Sequence, residues 1–259
     1  MNRADFGKER KKSFNPLRLL FLVPLIIIIL FITAFFVAIF QIVTFFKFRD
    51  FCCFYIVRPC CKIILWIWGI NYRVHYLSNL QTGQKIYLIN HTSRIDAVLL
   101  PAICFNKTRY FMSKRTYKFI PVTIINIFIG TFLIDQQHKP EKRTECFRRA
   151  EATLRRTGDS VILSPEGTTI TTGRIAKFNK GAFHLATNLK VPIVPVYIYI
   201  PADVNPGRAY RTSGGYVDVY ILPEIDTRKW VLDELEENKK MVRSVFVEFH
   251  NRMHKVSYE

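Results

Sequence analysis

His91 and Asp96 stand five residues apart in "YLINHTSRIDAVLLP", residues 87–101, where an apolar run ends abruptly at Asn90. An imidazole with a carboxylate on one ring nitrogen is a general base held in one tautomer. The spacing restricts how the two can meet. Five residues of ideal helix turn the chain by about 500°, or about 140° net, so within one helix the two side chains face apart. They meet if His91 lies in the turn before a helix and Asp96 in its first turn, with Thr92 or Ser93 as the cap. The stretch therefore predicts a strand, a turn and a helix. Taken alone, it equally suits a plain helix start, with Ser93 as cap and Asp96 complementing the helix dipole.

Other polar residues punctuate apolar runs downstream. In "SPEGTT", residues 164–169, Glu166 supplies a carboxylate, and Gly167 lets the backbone approach a ligand closely. "KFNKGAF", residues 177–183, adds Lys177 and Lys180. "VPIVPV", residues 191–196, places two prolines inside an apolar strand, which predicts a sheet edge or a cleft wall.

These residues need a scaffold. Strand-like runs recur at 85–90, 130–135, 160–165, 191–200 and 216–223. They are continuously apolar rather than alternating, as expected of strands buried on both faces. Between them lie helical patterns. Phe147, Ala150 and Leu154 share one face of residues 142–159, and Gly158 marks the stop. Near the end, Val242, Val245, Phe246, Phe249 and Met253 step by three and four. The pattern predicts an α/β domain over 71–259, with a mostly parallel sheet flanked by helices. Ligands gather at the carboxyl ends of such strands. Asn90-His91, Asp135-Gln136 and Pro165-Glu166-Gly167 all fall at strand ends.

Residues 1–70 read differently. Residues 17–46 are apolar except for Arg18, Gln41 and two threonines, longer than the roughly 20 residues a bilayer core requires. The run is too long and bulky for a cleaved signal peptide. Its basic flank, Arg3 to Lys12, predicts a cytoplasmic N-terminus. A helix that enters and returns on one face, bent at Pro24, is the alternative to a single crossing. Residues 51–70, interrupted by Arg58, Pro59 and Lys62, suit an interfacial or re-entrant helix pair. The expected setting is the cytoplasmic face of a membrane, either a bacterial inner membrane or the endoplasmic reticulum. Of the six cysteines, Cys52, Cys53, Cys60 and Cys61 form adjacent pairs, without the spacing of a metal site. The net charge of +18 has no basic tail of the nucleic-acid kind, so an anionic membrane is the expected counter-charge and nucleic acid is not. "KTRYFMSKRTYK", residues 107–118, is read as a basic, aromatic surface that docks on that membrane.

The four motifs, in this order, resemble those of the membrane-bound glycerolipid acyltransferases, the lysophosphatidic acid acyltransferase type. His91-x4-Asp96 matches the family's first motif, and Gly130 to Gln136 is the nearest match to Gly-x-x-Phe-x-x-Arg. Glu166-Gly167-Thr168-Thr169 matches Glu-Gly-Thr-Arg, and residues 191–196 match Val-Pro-x-x-Pro-Val. The likeness covers about residues 70–225. It implies transfer of a fatty acyl chain from a thioester donor, acyl-CoA or an acyl-carrier protein, to a lysophospholipid hydroxyl. His91 is then the base and Asp96 its orienting acid, with no metal or redox cofactor. Asn90, Ser93, Glu166, Gly167, Thr168, Thr169, Arg174 and Lys177 are the implied substrate contacts. Two arginines of the family pattern are replaced, by Gln136 and Thr169. Arg174 and Lys177 are placed to substitute as phosphate ligands, and an acceptor with a larger headgroup than lysophosphatidic acid fits the change. A non-catalytic lipid-binding protein of the same fold is the alternative. No Gly-x-Ser-x-Gly elbow supports a hydrolase.

Overall fold

The computed structural model describes residues 16–135, 140–167, 174–204 and 214–256. Its strands are β1 (Ile70–Tyr76), β2 (Ile86–Ile89), β3 (Thr108–Ser113), β4 (Phe132–Ile134), β5 (Ser160–Leu163), β6 (Ile193–Tyr199) and β7 (Gly215–Ile221). They form one sheet in the order β1-β7-β6-β2-β5-β3-β4. Every neighbouring pair is parallel except β6–β7. β2 and β5 are buried along their whole length, as their unbroken apolar runs require.

Two strands escape the sequence reading. β1, "INYRVHY", mixes polar with apolar residues because it is an edge strand with one neighbour, β7. β3 lies inside the segment read as a membrane-docking surface, and there the structure corrects that reading. Tyr110 is buried, and Phe111 stacks on Phe132 and Phe147 at 5.1 and 5.0 Å. The strand aromatics Tyr110 and Phe111 serve the core, and the exposed part is Lys107 together with the stretch from Ser113 through the 3-10 turn Lys114–Lys118, which includes Tyr117.

The two prolines of 191–196 do not mark a sheet edge. β6 is central, between β2 and β7. Pro195 is tolerated because pairing to β7 begins one residue later, at Val196–Ile221. Its carbonyl accepts from Leu222 N–H at 2.9 Å, so its donorless nitrogen faces the same interrupted side.

Helix α1 (Pro16–Val43) runs unbroken through Pro24. Residues 20–43 are long and apolar enough to cross a membrane. After a turn at 44–48 the chain continues through α2 (Arg49–Cys52), a π turn (Cys53–Val57) and α3 (Arg58–Ile67). This is one helical run where a pair was expected. It folds back along α1: Cys60, Ile64 and Ile67 pack near Ile26, while Cys52 and Val57 share a core with Ala34 and Val37. That core is continuous with the sheet through Tyr87, Ile89 and Val194. Helix α4 (Asp96–Ile103) packs on α3, and its Ala102 carbonyl accepts from Arg58 Nε and Tyr72 Oη at 3.3 and 3.1 Å. Helix α5 (Ile120–Phe128) packs on α1. The opposite face of the sheet is covered by α6 (Pro140–Thr157), α7 (Gly181–Leu189) and α8 (Leu235–Val256). Ala150 and Leu154 of α6, and Val242, Phe246 and Phe249 of α8, are buried as their spacing predicted.

One buried carboxylate ties the helical run to the sheet. Asp159 accepts from Arg49 Nη2 at 3.1 Å and from Arg109 Nε at 2.6 Å. Arg109 also donates to the Gly130 carbonyl at 3.1 Å. Gly130 has φ +71°, and a Cβ there would lie 2.3 Å from the Arg109 guanidinium. Removing the Asp159 carboxylate takes the shared anion from two largely buried guanidiniums, leaving Arg49 with Asp50 and Arg109 with the Gly130 carbonyl, which costs about 1–3 kcal/mol. Asp159→Ala is expected to lower the midpoint of thermal unfolding in detergent by several degrees, and an unchanged midpoint contradicts the bracing role.

Candidate active site

The carboxyl ends of β2 and β5 are neighbours, and both carry the residues singled out above. The chain leaves β2 at Asn90. Asn90 is 1% exposed, and both ends of its amide are engaged: Nδ2 donates to Ile198 O at 2.9 Å, and Ile198 N donates to Oδ1 at 2.7 Å. It therefore locks the tips of β2 and β6 together rather than turning toward a substrate.

The next residue, His91, is partly exposed, and its Nδ1 lies 2.8 Å from Asp96 Oδ2. The geometry is the one the spacing demanded, with the imidazole in the turn and the carboxylate on the first residue of α4. The cap differs from expectation. Ile95 precedes the helix, and no side chain caps it. Ser93 acts one step earlier: its Oγ accepts from Ile95 N at 3.2 Å, and its N–H donates to Asp96 Oδ2, also at 3.2 Å. A buried aspartate is thus aimed at the imidazole by backbone. A carboxylate can only accept, so Nδ1 carries the hydrogen and Nε2 is the nitrogen that accepts a proton. Burial alone would depress the His91 pKa. The Asp96 hydrogen bond and the charges of Asp96 and Glu166 outweigh it and leave the pKa raised.

Glu166 follows β5 and is 3% exposed. Its Oε2 accepts from Ala176 N at 3.1 Å, and its carboxylate also accepts from the backbone N–H of His91. Burial raises its pKa, and the two N–H donors pull it part of the way back. Asn179 completes the turn, its Nδ2 donating to the carbonyls of Pro165 and Glu166 at 3.1 and 3.0 Å. The segment 174–180 is thereby drawn beside His91. Along it Arg174, Lys177 and Lys180 are exposed at every third position, while Ile175 and Phe178 are buried. Lys180 pairs with Glu236 at 2.9 Å. Among the described residues Arg174 and Lys177 have no partner. Gly167 takes φ +70°, the left-handed turn that glycine permits.

Not every expected residue joins this site. Thr168, Thr169 and Gln136 lie outside the described residues. Asp135 ends β4, two strands beyond β5, and pairs with Lys114 Nζ at 2.5 Å. The third strand end is therefore separate from the first two. Asn179 was missed. It acts through backbone groups, for which a sequence carries no motif.

The sequence profile of the Acyltransferase family matches residues 71–199, which span β1 through β6 and every residue of the site up to Asn179. The chain belongs to the acyltransferase family. It is 26% identical over 185 residues to a 1-acyl-sn-glycerol-3-phosphate acyltransferase of Limnanthes douglasii, covering 71% of this chain and 65% of the relative. It is 28% identical over 201 residues to that of Saccharomyces cerevisiae, 76% of this chain and 63% of the relative. A human relative, 1-acyl-sn-glycerol-3-phosphate acyltransferase beta, is 31% identical over 169 residues, 62% of this chain and 58% of its own length. The chain thus spans under two thirds of the length of these relatives. The fold is similar to the crystal structure of PlsC, a 1-acyl-sn-glycerophosphate acyltransferase of Thermotoga maritima. The TM-score is 0.61 at 20% identity, over 85% of this acyltransferase-family chain and 94% of the other.

A raised pKa keeps His91 protonated to higher pH than an ordinary histidine, near 6.5, and neutral imidazole is the form that reacts with diethyl pyrocarbonate. Carbethoxylation of His91, followed by mass spectrometry across a pH series, should therefore reach half its maximal rate above about pH 6.5. In Asp96→Asn that midpoint should move down, because the anion that stabilises imidazolium is gone. An unmoved midpoint excludes Asp96 as its electrostatic partner.

Proposed function

We propose that this chain transfers a fatty acyl group from an acyl thioester to the free hydroxyl of a lysophospholipid, with His91 as general base. The observation that carries the reading is the buried Asp96 carboxylate 2.8 Å from His91 Nδ1 at the carboxyl end of β2, in a chain similar to 1-acyl-sn-glycerol-3-phosphate acyltransferases. An alcohol is a poor nucleophile until its proton is removed during attack. His91 Nε2 takes that proton as the hydroxyl oxygen bonds to the thioester carbonyl carbon. The C–S bond then breaks, and the imidazolium returns the proton to the leaving thiolate. Asp96 stabilises the imidazolium in between. No acyl-enzyme is needed.

The relatives' names support lysophosphatidic acid as acceptor. Gln136 and Thr169 stand where the family pattern has arginine, which also fits a lysophospholipid with a larger headgroup. Either acceptor carries a phosphate, and Arg174 and Lys177 are the first exposed cations that follow Glu166 among the described residues. Both substrates are amphiphiles, and the outer faces of the helices suit a bilayer. Phe31, Phe35 and Phe36 of α1 and Phe51, Ile63 and Trp66 of the returning run are all strongly exposed. Lipid is the medium that would cover them. Its anionic headgroups match the net charge of +18.

Incorporation of labelled acyl chains into lipid by the purified full chain tests the reading. His91→Ala is expected to lose about 10²- to 10⁴-fold in turnover while staying folded, and near-wild-type turnover in that variant defeats the mechanism. In a second arm, Arg174→Ala should raise the Michaelis constant for the lysolipid by about 10- to 100-fold and leave that of the acyl donor unchanged. An unchanged lysolipid constant places the phosphate elsewhere.

A further inference from the structure

Arg243 lies on α8, beyond the family match and outside every motif. Its Nε donates to the Ala176 carbonyl at 2.8 Å and its Nη2 to the Ile175 carbonyl at 2.7 Å. Two neighbouring peptide carbonyls thus sit in one guanidinium fork. The peptide unit between Ile175 and Ala176 is gripped twice, its N–H by Glu166 at 3.1 Å and its carbonyl by Arg243 at 2.7 Å. One turn along α8, Phe246 packs edge-on against Phe178, with ring centres 5.5 Å apart. At the far end of the segment Lys180 pairs with Glu236 at 2.9 Å. Residues 175–180 are therefore docked on α8 by their carbonyls, by one ring and by one charge.

This docking decides where the cations point. Ile175 and Phe178 are driven inward against α8, so Arg174 and Lys177, each one residue earlier, are left on the outer side. Exposed cations on a loose loop sample many positions and hold a phosphate poorly. The same cations on a pinned backbone have lost that freedom before the ligand arrives.

We propose that Arg243 is the positioning residue of the acceptor site, fixing the backbone from which Arg174 and Lys177 reach the phosphate of the lysolipid. The proposal rests on the acyltransferase reading above and deepens it. Arg243 touches no reacting atom. Its removal leaves Glu166 in place on His91, so the base stays aimed while the acceptor's ligands drift. A lysine cannot replace it, because one ammonium lacks the planar fork that serves two carbonyls at once.

The test uses the full chain in mixed micelles with lysophosphatidic acid and acyl-CoA. In Arg243→Ala the Michaelis constant for lysophosphatidic acid is expected to rise about 10- to 100-fold. The turnover number and the acyl-CoA constant should stay within about twofold of wild type. Arg243→Lys, the variant to use if the alanine form fails to fold, should keep most of the defect. Amide hydrogen exchange is followed in the same proteins and should accelerate over 174–180 but not over β2 or β5. Unaltered exchange at 174–180, or an equal loss in both Michaelis constants and in turnover, overturns the positioning role. If the wild-type chain acylates no lysolipid, the functional reading falls by itself. The exchange measurement still decides whether Arg243 pins the segment.

Discussion

Two backbone N–H groups from distant parts of the chain, those of His91 and Ala176, converge on one buried carboxylate, Glu166. The rest of the site depends on that convergence. A carboxylate at 3% exposure has left most of its hydration behind, and the two peptide donors replace it. In exchange, Glu166 fixes the turn that carries His91 and the segment that carries Arg174 and Lys177. Each strand tip alone would be a loop. Bridged by Glu166, with Asn90 holding β6 and Asn179 closing over Pro165, they form one rigid rim along the sheet.

The helices before β1 meet the same rim from the other side. α3 packs on α4, whose first residue is Asp96. The helical run with the exposed aromatics therefore also supports the helix that carries Asp96. Gln41, the one amide in α1, is fully buried and donates to the Phe128 carbonyl at 3.1 Å. Asp159 secures Arg49 on the sheet at the opposite strand ends. The scaffold of the site and the N-terminal helices share one core.

The sequence made β2, β5 and β6 visible because strands buried along their length must be apolar, and it showed the partly buried edge strand β4 and the Asp218-bearing β7 as mostly apolar runs. It hid β1 and β3. An edge strand is free to alternate, and the basic residues of β3 mask a buried Tyr110. The His91–Asp96 pair was legible because helix geometry leaves so few ways for that spacing to close. The roles of Asn90 and Glu166 were legible as to place and not as to partner. Both spend their polar atoms on peptide groups, and every residue has peptide groups. Arg243 was illegible for the same reason, since two carbonyls 67 and 68 residues upstream leave no trace in composition or period.

The central claim is that one carboxylate holds base and acceptor segment together, and Glu166→Gln tests it most directly. Glutamine keeps the size, loses the charge and offers one acceptor oxygen where the carboxylate offers two. The measurement is the steady-state rate of lysolipid acylation at varied lysolipid and saturating donor. A joint effect is predicted, with turnover falling and the lysolipid Michaelis constant rising, each by about tenfold or more, since about 1.4 kcal/mol suffices for each. If both constants stay at wild-type values, the base and the acceptor segment do not depend on Glu166, and the account is wrong.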